Sequence, residues 1–133
     1  MKTLTAFLLL LAAYAHAADV QPTPPQEAEG TIGYDSVDAA LSALRAKTDV
    51  EVIVDHGWTI ATDHREKTIW SFAPNGHPAF PAAVKRTLVE RDGTLFVRMA
   101  VLCEASKTAC DRLVVEFNEL NERMRASMRA NSD

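Results

Sequence analysis

The sequence is poor in cysteine, in glycine and in long apolar runs, and each shortage excludes a class of protein. Its two cysteines are too few for a zinc site built from thiolates alone. Its five glycines form neither a glycine-rich phosphate-binding loop nor the G-x-S-x-G turn of serine hydrolases. No apolar run reaches the roughly 20 residues of a membrane-spanning helix. We therefore expect no transmembrane segment in the mature chain, no cofactor and no metal.

Basic residues are also scarce relative to acidic ones. The chain has 14 Lys and Arg against 18 Asp and Glu, which gives a net charge of −4 at pH 7. Nucleic acids and anionic membrane surfaces bind clustered Lys and Arg. The charge balance therefore argues against both as main partners.

The first 17 residues indicate the compartment. Lys2 precedes an apolar run over 7–13, and Ala15-His16-Ala17 then places small residues where a signal peptidase cuts. This pattern predicts a secretory signal peptide with cleavage after Ala17, and a soluble protein in the periplasm or the medium. Cleavage leaves 116 residues, and the net charge becomes −5 because Lys2 is removed.

An even cysteine count in an exported protein favours a structural disulfide. Six residues separate Cys103 from Cys110, whereas a catalytic dithiol usually has C-x-x-C spacing. We expect a structural disulfide between them, with a redox pair and two free thiols as the alternatives.

Proline content and hydrophobic periodicity divide the chain into segments. Residues 1–17 form the signal peptide, 18–33 a proline-rich flexible linker, 34–129 one α+β domain, and 130–133 a frayed tail.

Two helices are predicted at the ends of the domain. Asp35 or Ser36 caps the first, which ends near Lys47, and Ser106 or Thr108 caps the second. Apolar residues recur at helical spacing in both: Val37, Ala40, Leu41 and Leu44 in the first, and Leu113, Phe117, Leu120 and Met124 in the second.

Alternating apolar and polar residues predict strands between the helices, three before residue 73 and two after residue 81. For the first turn we favour three residues, 55–57, which would pair Val52 with Ile60, over a two-residue turn at His56-Gly57. An odd-length turn at 64–66 would likewise align Ile60 with Trp70. Asp92-Gly93 predicts a two-residue turn that pairs Leu88 with Val97. A short helix over 81–88 is the competing interpretation, and strand is preferred.

These elements predict an α+β fold, a two-layer sandwich in the order α-β-β-β-β-β-α. One face of an antiparallel five-stranded sheet would carry both helices. Trp58 and Trp70 would then lie together beneath them.

The segment 70–81 is the best candidate for a binding site. Three prolines stiffen it, and a stiff loop can present side chains to a partner. We expect binding residues at His77, Phe80, Asn75 and Lys85, with His77 more accessible than a mostly packed Phe80. The alternative is an ordered crossover in which Phe80 is a plug.

The same segment resembles small exported bacterial proteins of uncharacterised function that share a Trp-x-Phe-x-Pro-x-Gly-His-Pro stretch. The resemblance continues to Cys103 and Cys110 and covers about half of the chain. It implies no activity, and it implies that the loop and the cysteine pair belong to one domain. The matching residues are Trp70, Phe72, Pro74, Gly76, His77, Pro78, Pro81, Val84, Lys85 and Arg86.

Three hypotheses of function follow. The preferred one is a small exported binding or accessory protein whose partner is an envelope protein or a small ligand. The second is an enzyme that uses His77 as acid or base. The third is a homodimer formed through an outer sheet face that includes Ile53, Ala61, Ile69, Val89 and Phe96.

Overall fold

Residues 31–131, which the computed structural model describes, contain two helices and five strands. The predicted signal peptide and most of the predicted linker lie outside the described residues. The elements are α1 (Val37–Arg45), β1 (Val50–Asp55), β2 (Trp58–Asp63), β3 (Thr68–Phe72), β4 (Ala82–Arg91), β5 (Thr94–Cys103) and α2 (Lys107–Ala130). The predicted α+β class and element order are confirmed.

Serine caps begin both helices. The Ser36 hydroxyl accepts a hydrogen bond from the Ala39 N–H at 3.0 Å, and the Ser106 hydroxyl accepts one from the Ala109 N–H at 3.3 Å. These bonds satisfy N–H groups that have no partner within the helix. Ser36 and Ser106 are thus the correct choices among the predicted caps.

The five strands form an antiparallel meander in the order β1-β2-β3-β4-β5. The predicted hairpin at Asp92-Gly93 is confirmed, because Leu88 pairs with Val97 across it. The preference for strand over helix at 81–88 is confirmed as well, since β4 begins at Ala82.

Both turns that flank β2 differ in length from the prediction. The first has two residues, His56 and Gly57, with φ of 47° and 85°, so Val52 faces Ala61 instead of Ile60. The second has the four residues 64–67, and Ala61 therefore faces Trp70. Because each turn differs by one residue, β2 is turned over relative to the prediction. The hairpin of β4 and β5 is turned over as well, since Lys85 faces Trp70 and Val84 lies on the opposite face.

The two helices lie on opposite faces of the sheet, which corrects the predicted placement on one face. Side chains alternate between faces along a strand. On β4, Ala83 belongs to the core under α1, while Ala82 and Val84 belong to the core under α2. We call these surfaces the α1 face and the α2 face. Trp70 lies on the α1 face and Trp58 on the α2 face.

The outer face proposed for a homodimer does not exist as one surface. Ala61, assigned to it, is fully buried in the core under α1. Ile69, also assigned to it, lies on the α2 face, because its neighbour Trp70 belongs to the core under α1.

The packed domain starts earlier than the predicted boundary at residue 34. Ile32 is 2% exposed and belongs to the core under α1, although residues 18–33 were assigned to the linker. Its apolar side chain makes the segment before α1 part of the fold.

Cys103 and Cys110 form the predicted disulfide, with 5.7 Å between their Cα atoms. The bond joins the end of β5 to the first turn of α2. Within residues 31–131, no helix is both long and apolar enough to cross a membrane.

Candidate functional site

An open cleft of about 580 Å³ lies on the α1 face. We call it the α1-side cleft. Residues 31–34 line it, as do Leu44 at the end of α1 and Lys47 just beyond. Its floor consists of two rows of side chains that cross the sheet: Asp63, Thr68, Thr87 and Arg98 in one row, and Trp70, Lys85 and Ala100 in the next.

The cleft exists because β4 and β5 are longer than one helix is thick. Each has ten residues and extends about 33 Å at about 3.3 Å per residue. A helix with its side chains is about 10–12 Å in diameter. The helix therefore leaves part of the α1 face open, and the uncovered rows carry polar side chains.

The middle of the floor is a chain of directed hydrogen bonds. The Thr68 hydroxyl donates to the Glu66 carbonyl at 3.0 Å and lies 3.0 Å from the Thr87 hydroxyl. A hydroxyl has only one proton to donate, so Thr87 is the donor in the second bond. The Thr87 oxygen therefore remains an acceptor for a ligand.

Asp63 closes the row at its β2 end. One oxygen of its carboxylate accepts from the Arg65 N–H at 3.1 Å and from the Glu66 N–H at 3.0 Å. These bonds hold the turn 64–67 in shape, and they place Glu66 on the lining of the cleft. Asp63 is only 7% exposed, which is unusual for an aspartate.

Trp70 provides the aromatic part of the floor. The Lys85 ammonium lies 5.1 Å from the centre of its indole ring, within the range of a cation–π contact. The ring of Tyr34 meets the indole edge-on at 5.7 Å between centroids. The cleft thus combines an apolar wall with charged groups.

The charged side chains of the cleft form no ion pairs with the rest of the described chain. Within residues 31–131, no carboxylate oxygen lies within 4.0 Å of the cationic nitrogens of Lys47, Lys85 or Arg98. Neither Asp63 nor Glu66 has a cationic nitrogen that close. Five charged side chains therefore line one cleft without neutralising one another.

The loop between β3 and β4, the predicted site, lies on the other side of the sheet. The His77 ring packs edge-on against Trp58 at 5.1 Å between centroids, and its Nδ1 accepts a hydrogen bond from the Ala79 N–H at 3.1 Å. Its Nε2 lies 3.7 Å from a Glu116 carboxylate oxygen, and the side chain is 19% exposed. His77 therefore joins the loop to α2.

Phe80 and His77 have the reverse of their expected accessibilities. Phe80 is 44% exposed, so it is not the predicted plug. Ala79 beside it is fully buried and occupies that place in the core under α2.

The four predicted binding residues do not converge. Asn75, His77 and Phe80 share the loop, and the side chain of Asn75 is exposed. Lys85 lies on the α1 face and lines the cleft instead.

The other two histidines within residues 31–131, His56 and His64, lie in the turns at either end of β2, as predicted. His56 pairs with Asp55 at 2.7 Å, and His64 lies 3.8 Å from Glu51, all of them exposed. In the described part of the chain, no three His, Cys, Asp or Glu side chains are grouped so that they could hold a metal ion.

Apart from Lys85, sequence reasoning missed the cleft. Lys85 and Thr87 lie two residues apart on β4 and therefore point to the same face of the sheet. These two polar residues, on a strand too long for one helix to cover, could have predicted an uncovered polar row. The expectation that both helices share one face hid it.

Comparisons with protein-family models, with curated proteins and with solved structures find no match to this chain, so its function is argued from its own geometry.

Proposed function

We propose that this is a small exported binding protein that takes a small ligand in the α1-side cleft. The observation that carries the proposal is a cleft of about 580 Å³ whose charged groups have no ion-pair partner within residues 31–131. Small-molecule sites are concave, have volumes of about 300–1,000 Å³, and combine apolar walls with a few placed polar groups. Trp70 and Tyr34 supply the wall, and the row from Asp63 to Arg98 supplies the polar groups.

Export is part of the same proposal. The predicted signal peptide directs the chain to the periplasm or the medium, and the disulfide between Cys103 and Cys110 suits an oxidising compartment. Expression of the whole chain in a bacterial host, followed by mass measurement of the exported product, tests this. The expected product begins at Ala18, and an uncut cytoplasmic chain would contradict it.

The enzyme hypothesis has weaker support from the arrangement of His77. Its Nδ1 already accepts a backbone hydrogen bond, and its Nε2 faces Glu116 across 3.7 Å. In the neutral ring the proton therefore resides on Nε2, directed at a carboxylate of α2. These contacts support a positioning role for His77 in the loop.

Amide chemical-shift mapping tests the binding proposal. The mature chain, labelled with ¹⁵N, is titrated with a library of small polar and aromatic compounds. We expect the shifts to cluster on residues 31–34, 66–70, 85–87 and 98–100. Clustering on the loop 73–81 would move the site to the α2 face and contradict the proposal.

A matched pair of variants strengthens this test. Thr87→Trp fills the floor of the cleft, whereas Val89→Trp places the same side chain two residues further along β4 on the same face, outside the cleft. Binding should be lost in the first variant and kept in the second. Circular dichroism shows whether each variant is folded. If Thr87→Trp is not folded, the chemical-shift map of the wild-type protein alone decides the binding proposal.

A further inference from the structure

We propose that the ligand of the α1-side cleft is a short peptide with free termini. Its carboxylate would lie at Lys85 and Arg98, and its ammonium group at Asp63 and Glu66. This inference rests on the proposed function, because it names the class of ligand for the same cleft.

The charges of the cleft are separated by sign along the sheet. Lys85 and Arg98 lie on the adjacent strands β4 and β5, at the end of the floor away from β2. Asp63 ends β2, and Glu66 belongs to the turn that follows it. Lys47 also lines the cleft, so the three cations exceed the two acids by one. A ligand with one negative and one positive end complements the two ends of this floor better than a simple anion does.

The spacing of the two ends matches a peptide. Three strand spacings of about 4.8 Å separate β2 from β5, so the Cα atoms of Asp63 and Arg98 are about 14 Å apart. Their side chains reach into the cleft and shorten the gap between charged groups. An extended peptide advances about 3.3 Å per residue, so about four residues span the Cα separation, and three suffice where the long side chain of Arg98 covers the rest. A single amino acid is too short to reach both ends.

The middle of the floor suits a peptide backbone and a side chain. The Thr87 oxygen is left as an acceptor, which a peptide N–H can use. Trp70 is only 5% exposed, and half-buried Tyr34 packs against its indole, so the Tyr34 ring is the aromatic surface that an apolar side chain can contact.

Titration calorimetry with the mature chain tests the proposal on both termini. The probes are the tripeptide Ala-Phe-Ala with free ends, its C-terminal amide and its N-acetyl form. We expect each blocked form to bind at least tenfold more weakly than the free peptide, since a hydrogen bond to a charged group is lost.

Charge-removing variants connect each terminus to its residues. Arg98→Gln should weaken binding of the free peptide about tenfold. This variant should bind the C-terminal amide and the free peptide with equal affinity. Glu66→Gln should likewise weaken binding of the free peptide about tenfold, and it should bind the N-acetyl form and the free peptide with equal affinity. Arg91→Gln is the matched control, because Arg91 is an exposed cation on the neighbouring strand outside the cleft. It should change no affinity.

Succinate separates failure of this inference from failure of the proposed function. Suppose that succinate or another library compound shifts the cleft amides, while the free and blocked peptides bind equally weakly. The peptide class is then overturned and the binding function stands. If no probe shifts a cleft amide, both are overturned. The proposal would also be overturned if the free peptide bound more tightly than the blocked peptides but Arg98→Gln did not weaken its binding.

Discussion

His77 connects the loop between β3 and β4 to the rest of the domain, and its neighbour Phe80 does not. The imidazole packs on Trp58 and accepts the Ala79 N–H. We therefore expect His77→Ala to lower the free energy of unfolding by about 1–2 kcal/mol, since a half-buried hydrogen bond and a ring contact are lost. Phe80→Ala should change it by no more than about 0.5 kcal/mol, as surface substitutions usually do. Urea denaturation measures both, and the reverse ranking would contradict the packing described above.

Arg86 carries a cost that an apolar side chain would not. Its guanidinium lies 5.3 Å from the centre of the Phe117 ring and donates to the Met124 sulfur at 3.3 Å, while its buried Nε has no hydrogen-bond partner in the structure. Burial lowers the pKa of the Arg86 guanidinium from its ordinary value. The charge does not lie at a sheet edge, because β4 lies between β3 and β5.

Arg86→Met should therefore stabilise the protein. Methionine is an unbranched apolar side chain two atoms shorter than arginine. It removes the unpaired buried donor, and replacing buried charged groups by apolar ones is often neutral or favourable. We expect the free energy of unfolding to rise by about 1 kcal/mol. Arg91→Met, an exposed site on the same strand, is the control and should have little effect. A loss of more than about 1 kcal/mol in Arg86→Met would show that the guanidinium stabilises the α2 face.

At the scale of the element, the sequence predicted which strands exist better than which way they face. Apolar alternation identified all five strands, because that period is a property of each strand alone. The face of β2 depends on two turn lengths, and His56 at positive φ gave no strong sequence signal for a two-residue turn. Asp92-Gly93 gave such a signal, and the register of β4 with β5 was correct. The predicted strand register was therefore correct only where the turn residues gave a clear signal of turn length.

The candidate site was less predictable than the fold for a related reason. The cleft depends on the helices lying on opposite faces of the sheet. Apolar residues at helical spacing show that one side of a helix is buried, but they do not show which face of the sheet covers it. Lys85 was chosen from the sequence, but its cleft neighbours were assigned to the core or the outer face. Rows such as that from Asp63 to Arg98 become visible only when the register of several strands is known.

The disulfide joins two elements whose mutual position matters for the α2 face. It closes a short loop between β5 and the first turn of α2. Loop-closure entropy predicts a stabilisation of about 2 kcal/mol for a loop of this size. The double variant Cys103→Ala, Cys110→Ala should therefore have a free energy of unfolding about 2 kcal/mol lower, measured by urea denaturation, and should remain folded without urea. An unchanged midpoint, or two free thiols in exported wild-type protein, would contradict this role.

At the scale of the whole molecule, one sheet supports two cores. Leu44 is buried in the core under α1, and Leu113 is buried in the core under α2. Both cores use the same strands, since adjacent residues on β4 point to opposite faces. Loss of either core removes packing from strands that the other core needs. Unfolding should therefore be cooperative across the sheet.

Two single-tryptophan variants test this coupling. Trp58→Phe leaves Trp70 as a fluorescent reporter of the α1 face, and Trp70→Phe leaves Trp58 as a reporter of the α2 face. Leu44→Ala or Leu113→Ala, introduced into either variant, should lower its free energy of unfolding by about 2–5 kcal/mol. The change should be the same whichever tryptophan reports it, because each substitution removes part of a structure that unfolds as one unit. If Leu44→Ala moved the transition seen by Trp70 and left that seen by Trp58 in place, the two faces would unfold separately. The α1-side cleft could then open without loss of the α2 core.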